Sequence, residues 1–144
     1  MPTREVIIPS GMEILYEKYH YCPGIKIGNT LYIAGQVGRD ENMQIVTEPE
    51  AQFIQTFENV KKVLHAAGAT FDNVVEMVTY HVTTPDLYTA SNQPPLTIPY
   101  LPLFIQVKER YFTNLYPTWT GVGVTTLSTP GLMVEIKCTA VLES

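Results

Sequence analysis

Hydrophobic and polar positions change period several times along the chain, and each change marks an element. Glu5–Ile8 reads as a short strand ended by Pro9-Ser10-Gly11, and Met12–Tyr16 as a second short run, strand or turn. Ile25-Lys26-Ile27, the Gly28-Asn29 turn and Thr30–Val37 read as strand, turn and returning strand. Gly35 interrupts that returning strand, which marks a bulge or a close approach by another backbone or a ligand. Thr47-Glu48-Pro49-Glu50 has the capping-box spacing, with Thr47 as N-cap. Phe53, Phe57, Val60, Leu64 and Ala67 then recur at helical spacing, with Glu58, Lys61 and Lys62 facing away, and Gly68 supplies the stop. Val74–Thr83 alternates with period two, Val78, Tyr80 and Val82 against Thr79, His81 and Thr83. A second helix is predicted over Pro102–Asn114, with Leu103, Phe104, Val107 and Tyr111 as its apolar face. Thr118–Leu127 and Leu132–Leu142 close the chain as two strands about Ser128–Gly131. Val134, Ile136, Cys138, Ala140 and Leu142 share one face of the last strand; Glu135, Lys137 and Thr139 share the other.

This order, β-β-β-α-β-α-β-β, suits a mixed sheet with its helices on one face. The other face is then expected to carry Thr79, His81, Trp119, Gly121, Gly123 and Glu135. That mixture is neither a dry core nor an ordinary solvent face, and it suits contact with another subunit. A homo-oligomer with a cleft between subunits follows as the expectation. The 144 residues form one domain, 1–144, by size, and 45% hydrophobic with 16% charged residues is an ordinary globular balance. The proline-rich stretch from Pro85 to Pro102 reads as an ordered loop inserted into that domain.

Charge narrows the function. The net charge is −5, and the nine basic residues cluster only at Lys61-Lys62 and Lys108–Arg110, both within helices. A nucleic-acid partner would call for a basic face, so none is expected. No apolar run is long enough to span a bilayer, and no basic-then-apolar leader precedes the first strand. The expected chain is soluble and cytoplasmic. Its two cysteines, Cys22 and Cys138, form no CxxC pair, and His20, His65 and His81 have no metal-ligand spacing. Nucleotide-binding, P-loop, nucleophile-elbow and zincin patterns are missing as well. Chemistry without metal or cofactor, or plain binding of a small molecule, remains.

Three segments taken together resemble the Rid (YjgF) family: Gly28–Gln36 its strand and glycine-glutamine signature, Gln55–Ala69 its first helix, and Val122–Val124 with Leu127 and Val134–Ile136 its C-terminal signature. The resemblance runs from about Tyr21 to Leu142. It implies an α+β, chorismate-mutase-like fold, with a mixed six-stranded sheet and two helices on one face. It also implies a homotrimer whose sheets form a central barrel, with a cleft at each subunit interface. Founding members hydrolyse reactive enamines and imines to ketones and ammonia without metal or cofactor. Some members carry older names as ribonucleases, which the acidic charge here does not favour.

Carried over residue by residue, the resemblance implies a catalytic pair. Glu135 would orient the water that attacks the imine carbon, a general acid/base role. Tyr21, three residues before Gly24, would hydrogen-bond substrate or water. The Gly35 backbone N–H would donate to a carboxylate or carbonyl, although Ala34 stands where the family has serine. The largest departure lies two residues after Pro117. There the family's carboxylate-binding arginine is Trp119, which offers one N–H donor and no charge. Ile105 stands for the family's helix asparagine, and Gly121 for its cysteine. Trp119, Gly121 and Ile105 with Gly35 therefore make the expected substrate pocket, remodelled toward aromatic and apolar character. The expected substrate is larger or flatter than 2-iminobutanoate and stacked on Trp119, with Gly35 N–H or Arg39 available for a carboxylate. The alternative is a trimer of the same fold that binds a small metabolite without turning it over.

Overall fold

The computed structural model describes residues 3–85, 92 and 95–143. Strands β1 (Arg4–Ile7), β2 (Gly24–Ile27), β3 (Thr30–Gln36), β4 (Val74–Val82), β7 (Thr118–Val124) and β8 (Val134–Val141) form one six-stranded sheet in the order β1-β2-β3-β8-β4-β7. Only β4 and β7 run parallel, joined by a crossover that carries α3 (Leu101–Tyr111). The first three strands form an antiparallel meander, and β8 inserts between β3 and β4. Helix α2 (Pro49–Ala66) and α3 lie on one face. Phe53, Phe57, Val60 and Leu64 of α2 and Phe104 and Val107 of α3 are buried against Leu31, Ile33, Met77, Val134, Ile136, Cys138 and Ala140. Phe104 meets Phe53 edge-on at 5.4 Å between ring centres and Phe57 at 5.6 Å, which locks the two helices together. The α+β class and the mixed sheet are as the sequence implies.

Several local expectations change. Met12–Tyr16 is neither strand nor turn but the start of a short helix, α1 (Glu13–Glu17). The N-cap of α2 is Glu48, not Thr47: its carboxylate accepts from the N–H groups of Glu50 and Ala51, with Pro49 in the first turn. An acidic side chain there also complements the helix dipole. Gly68 follows the last turn at φ +78°, a left-handed geometry that glycine adopts without strain. Two short strands, β5 (Thr84–Pro85) and β6 (Leu96–Thr97), pair antiparallel at the base of the proline-rich stretch. Residues 86–91, 93 and 94, the middle of the expected ordered loop, lie outside the described residues.

The main correction concerns β4. A register shift between Val74 and Glu76 turns Met77, Thr79 and His81 toward the helices, and Val78, Tyr80 and Val82 the other way. The alternation is real, but the face with more apolar side chains is not the one the helices cover. In parallel register Met77, Thr79 and His81 neighbour Trp119, Gly121 and Gly123. Of the six residues expected on the uncovered face, five therefore lie on the helix side, and only Glu135 is on the open face. The open face instead carries Tyr32, Val78, Tyr80, Val82 and Val122, with Tyr32 51% exposed.

Candidate functional site

The expected site residues fall into two groups on opposite faces of the sheet. The first is built on a bulge. Register slips between Ile33 and Gln36 of β3, so Gly35 pairs with no residue of β2 or β8. The vacant side of Gly35 is filled by Glu135 of β8: a Cβ on Gly35 would lie 2.7 Å from the carboxylate carbon and 2.9 Å from Oε1. Only glycine allows the carboxylate to sit there. Burial raises the Glu135 pKa above its ordinary value, so this carboxyl holds a proton more readily than a solvated one. Tyr21 stands close enough to feel it. Burial first, then the Glu135 charge, raises the Tyr21 phenol, while Arg39 pulls the other way. Arg39 is itself anchored, Nη1 donating to Met43 O at 3.1 Å and Nη2 to Thr129 Oγ1 at 2.6 Å. Tyr21, Gly35 and Glu135 thus form one cluster, with a fixed cation behind it.

The second group is built on β4, β7 and α3. Trp119 lies against Phe104 of α3, 6.2 Å between ring centres, and Lys108 Nζ sits 4.7 Å from the centre of the Trp119 ring. Its indole N–H donates to Thr79 Oγ1 at 2.9 Å, and Thr79 Oγ1 lies 2.7 Å from His81 Nε2. The indole therefore has no donor left for a ligand. What it offers is its ring. A recess of about 200 Å³ opens beside it, lined by His81, Ile98, Leu101, Trp119 and Gly121. Gly121 lines that recess, and a Cβ there would meet Thr79 Oγ1 at 3.7 Å and the Trp119 ring at 3.8 Å, ordinary contacts that leave room for a side chain to enter it. Ile105 stands half-buried on α3, outside the recess.

Two of these residues were not singled out by spacing. His81 reads as an ordinary structural histidine in sequence, and Thr79 as a polar strand residue. The signal that could have found them is their pairing with Trp119 across the parallel strands, which needs the β4 register. Among the described residues no group of three or more His, Cys, Asp or Glu side chains is placed to hold a metal ion. Nor is any helix among them long and apolar enough to cross a membrane.

The family model described as Endoribonuclease L-PSP matches residues 14–142. The chain belongs to this family, the Rid (YjgF) family that the sequence segments resemble. Among Rid relatives, the RutC family protein YjgH of Escherichia coli (strain K12) is 32% identical over 145 residues, covering 97% of this chain and 96% of the relative. A protein of Dermatophagoides farinae named 2-iminobutanoate/2-iminopropanoate deaminase is 30% identical over 127 residues, with 85% and 86% covered. A solved structure titled Protein YJGH superposes with a TM-score of 0.79 at 30% identity and 98% coverage of both chains. At family level, Rid relatives thus include named imine deaminases.

Proposed function

We propose that this Rid-family chain is a cofactor-free hydrolytic deaminase for a small enamine or imine, with its site in a cleft between subunits of a homotrimer. The observation that carries this reading is the Glu135 carboxylate seated in the gap left by Gly35, with its pKa raised and the Tyr21 phenol beside it. A raised carboxylate is suited to take a proton near neutral pH. Glu135 takes one from water as the water oxygen bonds to the imine carbon. That proton passes to nitrogen to give a carbinolamine; its hydroxyl proton then moves to nitrogen as the carbon–nitrogen bond breaks, and ketone and ammonia leave. Tyr21 O–H and Gly35 N–H donate to substrate or water along the way. The separation of the two groups on opposite sheet faces supports a site completed by a second copy. The open face, with Tyr32, Tyr80 and Val78, is apolar enough to be covered by one.

A second reading has its own support. Trp119 replaces the family's arginine, and its only donor is spent on Thr79. A trimer that binds a flat metabolite without turnover fits that loss.

Ammonia release from freshly generated imines tests the first reading. The panel spans small aliphatic 2-imino acids, aromatic ones and extended 2-amino dienoates, with Trp119→Arg run alongside. Turnover of an aromatic or extended substrate is expected. Silence on every substrate, with activity on small 2-imino acids gained in Trp119→Arg, would leave the binding reading standing. A monomer by multi-angle light scattering would remove the cleft from both.

A further inference from the structure

The recess beside Trp119 contains a polar atom that the proposed deamination does not use. His81 is only 2% exposed and Thr79 is fully buried, yet both carry polar side chains on the helix-covered face. Their hydrogen bonds fix a direction. Trp119 Nε1–H can only donate, so Thr79 Oγ1 accepts from it at 2.9 Å. Among the described residues the one remaining partner of the Thr79 hydroxyl is His81 Nε2, at 2.7 Å. A buried hydroxyl without an acceptor is costly, so Thr79 donates and Nε2 accepts. The imidazole hydrogen must then sit on Nδ1. Nδ1 has no hydrogen-bond partner among the described residues, and those residues include no buried side-chain nitrogen or oxygen left unpaired. Among the described residues nothing pairs with Nδ1, and His81 lines the recess.

The remaining lining is Ile98, Leu101, Gly121 and the Trp119 ring. Among the described residues no charged side chain lines the recess, and Lys108 holds the Trp119 ring without lining it. We infer that this recess binds the uncharged carbonyl or amide end of a flat, apolar molecule, with His81 Nδ1–H donating to the carbonyl oxygen and Trp119 stacking on the flat body. An anion is disfavoured, since a buried carboxylate would meet one neutral donor and no cation. Burial also lowers the His81 pKa and keeps the ring neutral. If the deaminase reading holds, this is where the non-reacting end of its substrate lies. The binding claim stands on the recess alone, and its test reads binding rather than turnover.

Trp119 is the only tryptophan, so its fluorescence reports on this recess directly. The full chain is titrated with benzamide and with benzoate, which differ in charge but hardly in shape. Benzamide is expected to change Trp119 emission saturably, with benzoate about tenfold weaker or worse. His81→Phe should weaken benzamide about tenfold, the scale of one lost hydrogen bond. Gly121→Val puts a side chain into the recess while keeping the His81 imidazole and should abolish binding, so it carries the test if His81→Phe does not fold. Nitrogen-15 spectra should show the Nδ1–H form of His81, lost in Thr79→Val. Tighter binding of benzoate, above all if Lys108→Gln removes it, would overturn the inference. So would an Nε2–H imidazole, benzamide binding unchanged in His81→Phe, or no saturable response to either probe.

Discussion

Gly35 and Glu135 share one space: the carboxylate occupies the volume that a Cβ on residue 35 would need, with 2.7 Å to its carbon. The three nearest obstructing atoms, the carboxylate carbon, Oε1 and Cγ, all belong to the Glu135 side chain and none to backbone. Gly35→Ala should therefore fold, with less than about 1 kcal/mol lost, because Glu135 can swing away. Its imine hydrolysis should fall at least as far as that of Glu135→Gln, roughly 100-fold or more for loss of a positioned general base. Thermal melts and ammonia release on the two variants check this. An active Gly35→Ala would mean that the position of Glu135 does not matter to the chemistry.

The raised pKa of Glu135 sets the acid side of the pH profile. As a base it works only when ionised, so kcat/KM should decline as pH falls through a value above the ordinary 4.5. Glu135→Gln should lose that limb together with the rate. Tyr21 is raised above 10.0, so its hydroxyl keeps its hydrogen through the neutral range, and no alkaline limb from it is expected below that value. Tyr21→Phe should slow turnover about tenfold while leaving the acid limb in place. An acid limb that persists in Glu135→Gln would assign it to another group.

How far the sequence could be read depended on register. Helix α2 was legible because Phe53, Phe57, Val60 and Leu64 repeat over many turns, and all are buried. The alternation of β8 was equally plain, with Val134, Ile136, Cys138 and Ala140 buried in turn. In β4 the same reasoning chose the wrong face. Val78, Tyr80 and Val82 are the more apolar set, but the bulge at Val75–Glu76 reverses which set meets the helices. Thr79, His81 and Trp119 were legible as sharing one face, but only the parallel pairing of β4 with β7 makes them neighbours, and that pairing has no local signal. Tyr21, Gly35 and Glu135 do cluster, because each sits in a segment whose local pattern is strong. Trp119 and Gly121 meet at the recess, but Ile105 does not join them, for a helix position counted from spacing alone carries no rotation about the helix axis.

His81 makes stability depend on mild acid. Its folded pKa is lowered by burial below the ordinary 6.5, so the unfolded chain binds the proton more tightly. Its contribution is complete above 6.5 and is lost as pH falls from there toward the folded value. Urea melts at pH 7.5 and about 5.5 should show this loss, and His81→Phe should show less of it, whatever its absolute stability. Equal pH slopes in the two proteins would mean that His81 does not carry the effect.

Gln52 of α2 ties the site's scaffold together. It is fully buried, yet Nε2 donates to Val46 O and Gly131 O, both at 2.9 Å, and Oε1 accepts from Met133 N–H at 2.6 Å. One amide thus joins the segment before α2 to the start of β8, two residues ahead of Glu135. Gln52→Ala leaves all three backbone groups unpaired beside a cavity and should cost about 3 kcal/mol or more. Gln52→Glu separates this account from simple damage. An ionised Glu at that position faces two carbonyl oxygens with no hydrogen to give, so the variant should be markedly unstable at neutral pH. Protonation restores one donor, so its stability relative to the unsubstituted protein should recover as pH falls toward 5. A deficit that stays constant across that range would show that shape, rather than the donor pattern of Gln52, holds Met133 and Glu135 in place.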